Sequence, residues 1–420
     1  MTGAGALCAA GKDPAQIWEA VQAGRSAISP IRQWDTTQWP RRIGGEIADL
    51  DPVGLLKDRK IQKFIRRSDV FGLYAADRAI EASGIAAHRA TLDEAAAATF
   101  SDRTGVYVGS GGGSYQSQYD YFPLLTAADG ELKRFGAELG DTVNPMWLLQ
   151  TLPNNVLGHV GIRHGLKGPN ACITNHSVSG MLAIVEAMEG LRHGEADRAV
   201  AVGHDAPIEP QVILYYHGAG LLAQELIRSF DARRDGSLFG EGAAALVLET
   251  EASAAGRGAT ALGEVLGSGC TSDAEGLLAI REDGAGLTEA ILGALEDAHL
   301  RPSDVGMIVA HANGTRQSDA SEAAAILQVF GAGAPPVTGF KWAFGHLIAA
   351  SGVIETVQAL WALRSRTVPG IATLRELDPS FAQLPASAST RAPRSDVALI
   401  VSRGFGGTNA ALLVRAASLR

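Results

Sequence analysis

Ser177 is the residue whose type and position most strongly suggest chemistry. It lies in the segment Ile173-Thr174-Asn175-His176-Ser177-Val178-Ser179-Gly180, where a β-branched run ends and small polar residues follow. Apolar residues then recur at helical spacing at Met181, Leu182, Ile184, Val185, Met188 and Leu191. This pattern predicts a strand-to-helix turn at Ser177, where backbone N–H groups and the helix dipole stabilise negative charge. The position therefore suits a nucleophile, although an ordinary N-cap serine fits the same pattern.

Two histidines follow apolar segments in a similar way. His311 opens His311-Ala312-Asn313-Gly314-Thr315 after an apolar strand, and Asp319 and Glu322 come next. His346 ends Lys341-Trp342-Ala343-Phe344-Gly345-His346, and small residues follow it. A single histidine in such a place is more often structural than catalytic. Two histidines at the ends of apolar segments favour a functional site, because ligands of β/α proteins bind outside the carboxyl ends of strands.

Composition limits the classes of protein that fit. The chain has 420 residues and 46% hydrophobic content, enough for a large core in one domain or two fused halves. No apolar run approaches the roughly 18 residues of a membrane-spanning helix, and no secretory leader is visible. Three separated cysteines indicate a reducing compartment, and no Cys/His spacing predicts a metal site. A net charge of −9 disfavours nucleic-acid binding, so we expect a cytoplasmic enzyme.

Apolar strands alternate with helices along the whole chain. The predicted strands are Thr104–Gly109, Arg198–Gly203, Ala244–Glu249, Val305–His311, Asp396–Ser402 and Ala410–Arg415. The predicted helices include Pro14–Ala23, Ser68–Ala82, Leu287–Ala298 and Glu322–Phe330. This alternation predicts an α/β fold with parallel or mixed sheets covered by helices. The charged, glycine-rich segment 229–242 predicts a buried ion-paired loop, and 385–394 predicts a surface loop.

Several motifs in the same order resemble one family, the elongating β-ketoacyl-ACP synthases. The matching pieces are Gly24-Arg25-Ser26-Ala27-Ile28, Gly168-Pro169-Asn170, Phe230-Asp231 with Arg234-Asp235-Gly236, Gly240-Glu241-Gly242, His311 with Asp319 and Glu322, Lys341 with Gly345-His346, and Gly404-Phe405-Gly406-Gly407-Thr408-Asn409. The resemblance implies a thiolase-like fold, with two similar β/α halves stacked in a five-layer α-β-α-β-α core. We place the halves at residues 1–250 and 251–420. It also implies a dimer, either a homodimer or a heterodimer with a homologous ketosynthase.

The resemblance also implies the chemistry of the site. The nucleophile, at the position of Ser177, takes an acyl chain from the phosphopantetheine arm of an acyl carrier protein, and the enzyme itself binds no cofactor. His311 and His346 then hold the thioester oxygen of malonyl-ACP during decarboxylation. Lys341 matches the family's lysine beside the second histidine, and Asp319 and Glu322 support the site. The N–H groups of Ser177 and Phe405 would form the oxyanion hole, with Phe405 also gating the acyl pocket.

This sequence departs from the family at the nucleophile and nearby. Ser177 stands where the family has cysteine, whose thiol ionises near a pKa of about 8.5, while a serine needs a general base. We therefore expect impaired elongation and surviving malonyl decarboxylation. His176 replaces a small residue, and Cys172 is expected to be a core residue inside the strand. Arg403 replaces an apolar aromatic, as in the chain-length-factor subunits of type II polyketide synthases. The first strand is expected to be largely missing.

Four interpretations remain open. The chain is an acyltransferase or decarboxylase of this family, or a condensing enzyme whose cysteine was replaced by Ser177, or a chain-length-factor-like partner without chemistry. The fourth is a serine hydrolase with a triad of Ser177, Asp319 and His346, although the glycines that flank a hydrolase nucleophile are missing. Gly109–Gly113 fits that fold's oxyanion loop or a phosphate cradle less well than a plain strand-to-helix turn.

A basic segment predicts the docking surface for the acidic carrier protein. Six basic residues fall within eleven positions, namely Lys57, Arg59, Lys60, Lys63, Arg66 and Arg67. Enzymes of the resembling family dock their carrier proteins with basic residues in this region. A solvated helix face would show the same run of charges.

Overall fold

The computed structural model describes residues 1–111 and 121–417. Its strands are β1 Gly3–Cys8, β2 Ser29–Pro30, β3 Ile43–Gly44, β4 Thr104–Ser110, β5 Asn170–Ile173, β6 Arg198–Asp205, β7 Gly242–Glu249, β8 Gly263–Ser272, β9 Met307–Val309, β10 Val337–Thr338, β11 Val397–Gly404 and β12 Thr408–Ala416. Of the predicted glycine turn after β4, Gly112 and Gly113 lie outside the described residues.

The α-helices surround and separate these strands. They are α1 Pro14–Gln22, α2 Pro52–Leu56, α3 Arg67–Ser83, α4 Ile85–Arg89, α5 Glu94–Asp102, α6 Phe122–Ala128, α7 Leu132–Thr142, α8 Trp147–Thr151, α9 Asn155–His164, α10 Ser179–Arg192, α11 Pro210–Gly218, α12 Glu251–Gly256, α13 Ala285–Asp297, α14 Arg316–Phe330, α15 Lys341–Phe344 and α16 Ser351–Arg364. Within the described ranges, no helix is long and apolar enough to cross a bilayer.

Two five-stranded sheets share one topology. The first has the order β1-β7-β6-β4-β5 and the second the order β8-β12-β11-β9-β10. In each sheet the three strands at one end run parallel, the next strand runs antiparallel to them, and the edge strand at the other end pairs antiparallel with that one. The first, second, third, fourth and fifth main strands of one half therefore correspond to those of the other. The two halves are similar in structure, although the letters show no repeat.

Helices fill the space on both sides of each sheet. α10 packs on β4 and β6, α16 packs on β7, β11 and β12, and the two helices touch each other between the sheets. On the outer faces, α3 covers β1, β6 and β7, while α13 covers β8 and β12. Covered on both faces, the middle strands are apolar and buried along almost their whole length, as expected for central strands of a layered α/β fold. The expected five-layer arrangement is confirmed.

The predicted elements are present, but some bounds differ, and the helix predicted at Glu322–Phe330 begins at Arg316. The segment Val305–His311 forms only a short strand at Met307–Val309, and the backbone N–H of His311 donates to the carboxylate of Glu322. The expectation that most of the first strand is missing is wrong, since β1 pairs with β7 along all six of its residues. In the charged segment, Asp231, Arg234 and Glu241 are buried, as predicted.

The amino ends of α10 and α16 approach each other very closely. A Cβ atom added at Gly180, the second residue of α10, would lie 2.3 Å from the carbonyl oxygen of Ala349. Gly352 holds the same place in α16, where a Cβ would lie 2.8 Å from the Cβ of Met181. Because backbone atoms of a packed core cannot move aside freely, only glycine fits at Gly180. This contact fixes the distance between the two halves of the site.

We expect Gly180→Ala to lower the free energy of unfolding by about 1–3 kcal/mol or more, because the added methyl group overpacks this contact. The matched control is Gly293→Ala inside α13, where the nearest atom to an added Cβ is 3.8 Å away. That variant should be neutral or slightly more stable, since alanine favours a helix. Urea denaturation measures both, and equal stabilities would contradict the close packing.

Candidate active site

Ser177 lies in a turn between β5 and α10 that is held by a second serine. The Oγ of Ser179 accepts a hydrogen bond from the backbone N–H of Asn175 and donates one to the carbonyl of His176, both at 2.7 Å. His176 has a left-handed backbone with a φ of 49°, which is uncommon for a residue with a side chain. The turn buries Ser177 at the amino end of α10, as the sequence predicts.

His346 reaches Ser177 from the other half of the chain. Its Nε2 lies 3.1 Å from the Oγ of Ser177, while its Nδ1 contacts the Oγ of Ser351 at 3.0 Å and accepts the N–H of Ile348 at 3.3 Å. A backbone N–H can only donate, so Nδ1 carries no proton and the neutral ring carries it on Nε2. Burial, together with the charge of Lys341, holds the pKa of His346 well below its usual value. His346 is therefore a hydrogen-bond donor toward Ser177.

His311 lies beside His346 and has the same proton arrangement. The two ring centroids are 5.1 Å apart and the rings are nearly perpendicular. The Nδ1 of His311 accepts the N–H of Arg403 at 3.3 Å, which leaves the proton on Nε2. Burial, again with Lys341, holds the pKa of His311 well below its usual value, so the ring is neutral. The site thus contains two neutral imidazoles whose Nε2–H groups are donors.

Two buried carboxylates shape the loop around His311. Glu322 accepts the backbone N–H groups of His311 and Ala312 at 2.6 and 2.9 Å. Asp319 accepts the N–H groups of Phe230 and Gly314 at 2.7 and 3.1 Å, and burial raises its pKa to about 7. Both residues are therefore supports of the loop. The hydrolase triad is wrong, because the Nδ1 of His346 faces Ser351 and not Asp319.

Lys341 forms a fully buried ion pair with Glu355. Its Nζ lies 2.5 Å from Oε1 of Glu355, and neither side chain has any exposed surface. The other carboxylate oxygen, Oε2, has no hydrogen-bond partner among the described residues. Burial raises the pKa of Glu355 to about 7, an effect that the charge of Lys341 opposes. Lys341 is thus an electrostatic neighbour of the histidines.

His176 occupies the place where an open oxyanion hole is expected. Its Nδ1 lies 2.9 Å from the Oγ of Ser177 and accepts the backbone N–H of Phe405 at 3.4 Å. Its Nε2 lies 2.5 Å from the hydroxyl of Tyr216, and its ring stacks on Phe405 with a centroid distance of 4.4 Å. In this state the N–H of Phe405 therefore points at His176, and its role in an oxyanion hole stays a prediction.

In the sequence, His176 stands out only as a departure from the family, and Tyr216 does not stand out at all. The one signal that points to His176 is its position next to the candidate nucleophile. Nothing in the spacing signals Tyr216, which lies in α11 and reaches the site only through the fold.

Two cavities meet at this aromatic wall. One, of about 370 Å³, is lined by Ser177, His311, His346 and Arg403. The other, of about 460 Å³, lies toward Arg66, Arg67 and Asp205. The rings of His176, Tyr216 and Phe405 line both cavities, so Phe405 lies where a gate would have to be. Each volume suits a small ligand or part of an acyl chain.

Arg403 is buried in a network and does not fill the cavity. Its Nε donates to Asn409 at 2.9 Å, and one terminal nitrogen lies 3.5 Å from a carboxylate oxygen of Asp273. Cys172 is half-buried in β5, where its thiol contacts the carbonyl of Pro153, so it is less deeply buried than expected.

Four of the six basic residues lie on the surface. Lys57, Arg59, Lys60 and Lys63 are exposed, and Arg66 is half-buried beside the larger cavity. Arg67 differs, because its guanidinium binds the buried Glu241 at 2.7 Å and the carbonyl of Ile47 at 2.6 Å. The structure contradicts the expectation that Arg67 belongs to an exposed docking patch, since its charge is used inside the protein.

Comparisons with known proteins agree on one family. The family sequence models described as "Beta-ketoacyl synthase, N-terminal domain" and "Beta-ketoacyl synthase, C-terminal domain" match residues 1–254 and 262–375. A 3-oxoacyl-[acyl-carrier-protein] synthase 2 of Coxiella burnetii is 31% identical over 426 residues, covering 99% of this chain and 97% of that protein. Nodulation protein E of Rhizobium leguminosarum bv. trifolii is 32% identical over 420 residues, covering 99% and 98%.

Solved structures show the same similarity. The ishigamide ketosynthase/chain length factor has a TM-score of 0.87 and 25% identity, covering 100% of this chain and 98% of that chain. A β-ketoacyl synthase from Burkholderia phymatum has a TM-score of 0.86 and 26% identity, covering 99% and 98%.

We expect Lys341→Met to cost about 3–5 kcal/mol of unfolding free energy at pH 8, because it leaves the carboxylate of Glu355 buried without a counter-charge. Without the lysine, the folded-state pKa of Glu355 rises further above its unfolded value, so the loss is smaller at pH 5 and grows as the pH rises. The matched control Lys341→Met/Glu355→Leu removes both charges and should regain most of the loss. Guanidinium titrations at both pH values measure this, and a Lys341→Met variant as stable as the parent at pH 8 would contradict a charged buried pair.

Proposed function

Since this chain belongs to the β-ketoacyl synthase family, we propose that it acts on malonyl and acyl thioesters carried on the phosphopantetheine of an acyl carrier protein. The reaction we assign to the site is decarboxylation of the malonyl thioester, in fatty acid or type II polyketide biosynthesis. Transfer of an acyl chain through Ser177 is slower than transfer through a cysteine would be, because a serine lacks an easily ionised thiol.

The paired Nε2–H donors of His311 and His346 carry this proposal. Loss of carbon dioxide from a malonyl thioester leaves an enolate, whose negative charge develops on the thioester oxygen. Two fixed donors in a buried site stabilise that oxygen more strongly in the transition state than in the substrate. Both rings are neutral because burial lowers the pKa of each, so they donate without having to be protonated by solvent. The 370 Å³ cavity gives the thioester room beside them.

Docking of the carrier protein is assigned to the exposed basic residues. Lys57, Arg59, Lys60 and Lys63 lie close together in sequence before α3, and Arg66 connects that surface to the larger cavity. Acyl carrier proteins are acidic, so such a surface would speed their encounter with the enzyme at low salt. The pocket behind Arg66 then receives the phosphopantetheine arm.

A second candidate function is that of a chain-length-factor-like partner of an active ketosynthase. In the resting state the N–H of Phe405 points at His176 and not into an open oxyanion hole. The similarity to the ishigamide ketosynthase/chain length factor points in the same direction. Exposed apolar side chains on α6 and α8, such as Phe122 and Leu148, suit a surface that a homologous subunit covers. The retained pair of donor histidines favours the enzyme.

Incubation with malonyl-ACP, followed by mass spectrometry of the carrier protein, tests the proposal. The parent should convert malonyl-ACP into acetyl-ACP, and His311→Ala or His346→Ala should lower the rate by about 10²–10³-fold, the cost of losing one such donor. Because both rings are neutral, the parent rate should not follow a titration near pH 6.5. Ser177→Cys should additionally become acylated by acyl-ACP and condense with malonyl-ACP.

The control is a ketosynthase of known activity run with the same carrier protein. If the parent and Ser177→Cys both leave malonyl-ACP unchanged, alone or mixed with a cysteine-bearing homologue, the enzyme proposal fails. If activity appears only when the parent is added to such a homologue, and survives His311→Ala, the partner function replaces it.

A further inference from the structure

The hydroxyl of Ser177 has two hydrogen-bond partners among the described residues, and they differ in what they can do. The Oγ lies 3.1 Å from Nε2 of His346 and 2.9 Å from Nδ1 of His176. The first nitrogen carries a proton, because Nδ1 of the same ring accepts a backbone N–H. His346 therefore donates to Ser177 and cannot take its proton.

The nitrogen of His176 that faces Ser177 carries no proton, in contrast to the nitrogen of His346 that faces it. The backbone N–H of Phe405 points at Nδ1 from 3.4 Å, and a backbone N–H can only donate. The Nδ1 atom is therefore an acceptor, and the ring proton resides on Nε2, next to the hydroxyl oxygen of Tyr216 at 2.5 Å. The hydroxyl of Ser177 is left to donate its own proton to His176.

We propose that His176 is the general base for Ser177, and that Tyr216 positions its ring. The acyl donor is the carrier-protein thioester of the proposed function, on which this part of the inference rests. In the step, the Oγ of Ser177 attacks the thioester carbonyl while its proton moves to Nδ1 of His176. The tetrahedral intermediate collapses, the C–S bond breaks, and the pantetheine sulfur leaves with that proton. The products are an ester on Ser177 and a free thiol.

The surrounding structure holds His176 in this orientation. Its left-handed φ of 49° turns the side chain back over Ser177, and stacking on Phe405 fixes the plane of the ring. Burial lowers the pKa of His176 to about 4, so at neutral pH the ring is unprotonated and able to accept a proton. Such a weak base gives a modest acceleration, near the low end of the 10²–10⁴-fold range of general bases.

Proton transfer to His176 also changes the surroundings of Phe405. Once Nδ1 holds a proton it no longer accepts the N–H of Phe405. That N–H and the N–H of Ser177 can then both face the developing oxyanion, which is where donors have their greatest effect. His176, which holds the N–H of Phe405 in the resting state, would thus release that N–H to the oxyanion as the reaction proceeds.

The Ser177–His176 dyad can be tested without any carrier protein by incubating the protein with hexanoyl-pantetheine. The mass of the intact protein then reports acylation of Ser177. The variant His176→Asn keeps the left-handed backbone, which asparagine tolerates, but cannot act as a base. It should lower the rate of acylation of Ser177 by about 10²-fold. In the Ser177→Cys background the same change should cost less than about tenfold, because a thiol ionises without a base.

The pH profile separates a base from a merely structural residue. The parent rate should be flat from pH 6 to 9, because His176 is unprotonated throughout that range. Without the base, the reaction depends on the small ionised fraction of the serine, so the rate of His176→Asn should rise about tenfold per pH unit. An equal loss in the serine and cysteine backgrounds, with unchanged pH profiles, would show a structural role and overturn the proposal.

The variant His176→Gly tests the opposite possibility, that the ring only blocks the oxyanion hole. Glycine also tolerates the backbone conformation and empties the space beside Phe405. A faster acylation of this variant than of the parent would overturn the dyad, as would a parent that is not acylated at all. Decarboxylation of malonyl-ACP is measured separately and depends on His311 and His346, so failure of the dyad and failure of the proposed function remain distinguishable.

Discussion

The site depends on the close contact between the amino ends of two equivalent helices, one from each half. α10 and α16 both follow the third main strand of their half, both begin with Ser-Gly, and both are preceded by a residue with a positive φ, His176 or Ile348. Because glycine at position 180 lets the backbones touch, Ser177 and His346 meet within 3.1 Å although 169 residues separate them. The proposed reaction centre therefore lies between the two halves and belongs to neither alone.

Backbone N–H groups then decide what each imidazole can do. Those of Ile348 and Arg403 point at the Nδ1 atoms of His346 and His311, which makes both rings donors through Nε2. That of Phe405 points at Nδ1 of His176, the atom that also faces Ser177. A fold of this kind can provide two donors for an enolate and one acceptor for a hydroxyl. Burial keeps all three rings neutral by lowering their pKa values.

Much of this architecture could be predicted from the sequence. The apolar periodicity located most of the main strands and several helices, and the motif order indicated the layered fold and the positions of Ser177, His311 and His346. What the sequence could not provide was the contacts between distant loops. Tyr216 belongs to no motif. In the sequence Arg67 cannot be distinguished from its exposed basic neighbours, because only the fold places the buried Glu241 beside it. The blocked N–H of Phe405 depends on a left-handed residue whose φ no local pattern specifies.

The most direct test of the account is the tautomer of each active-site histidine, measured from ¹⁵N chemical shifts of the labelled protein at pH 7. Single His→Gln substitutions at positions 176, 311 and 346 would assign the signals. We expect all three rings to be neutral, with the proton on Nε2 and an unprotonated Nδ1. A proton on Nδ1 of His346, which would make its Nε2 the acceptor for Ser177, would contradict the assignment of donors and base.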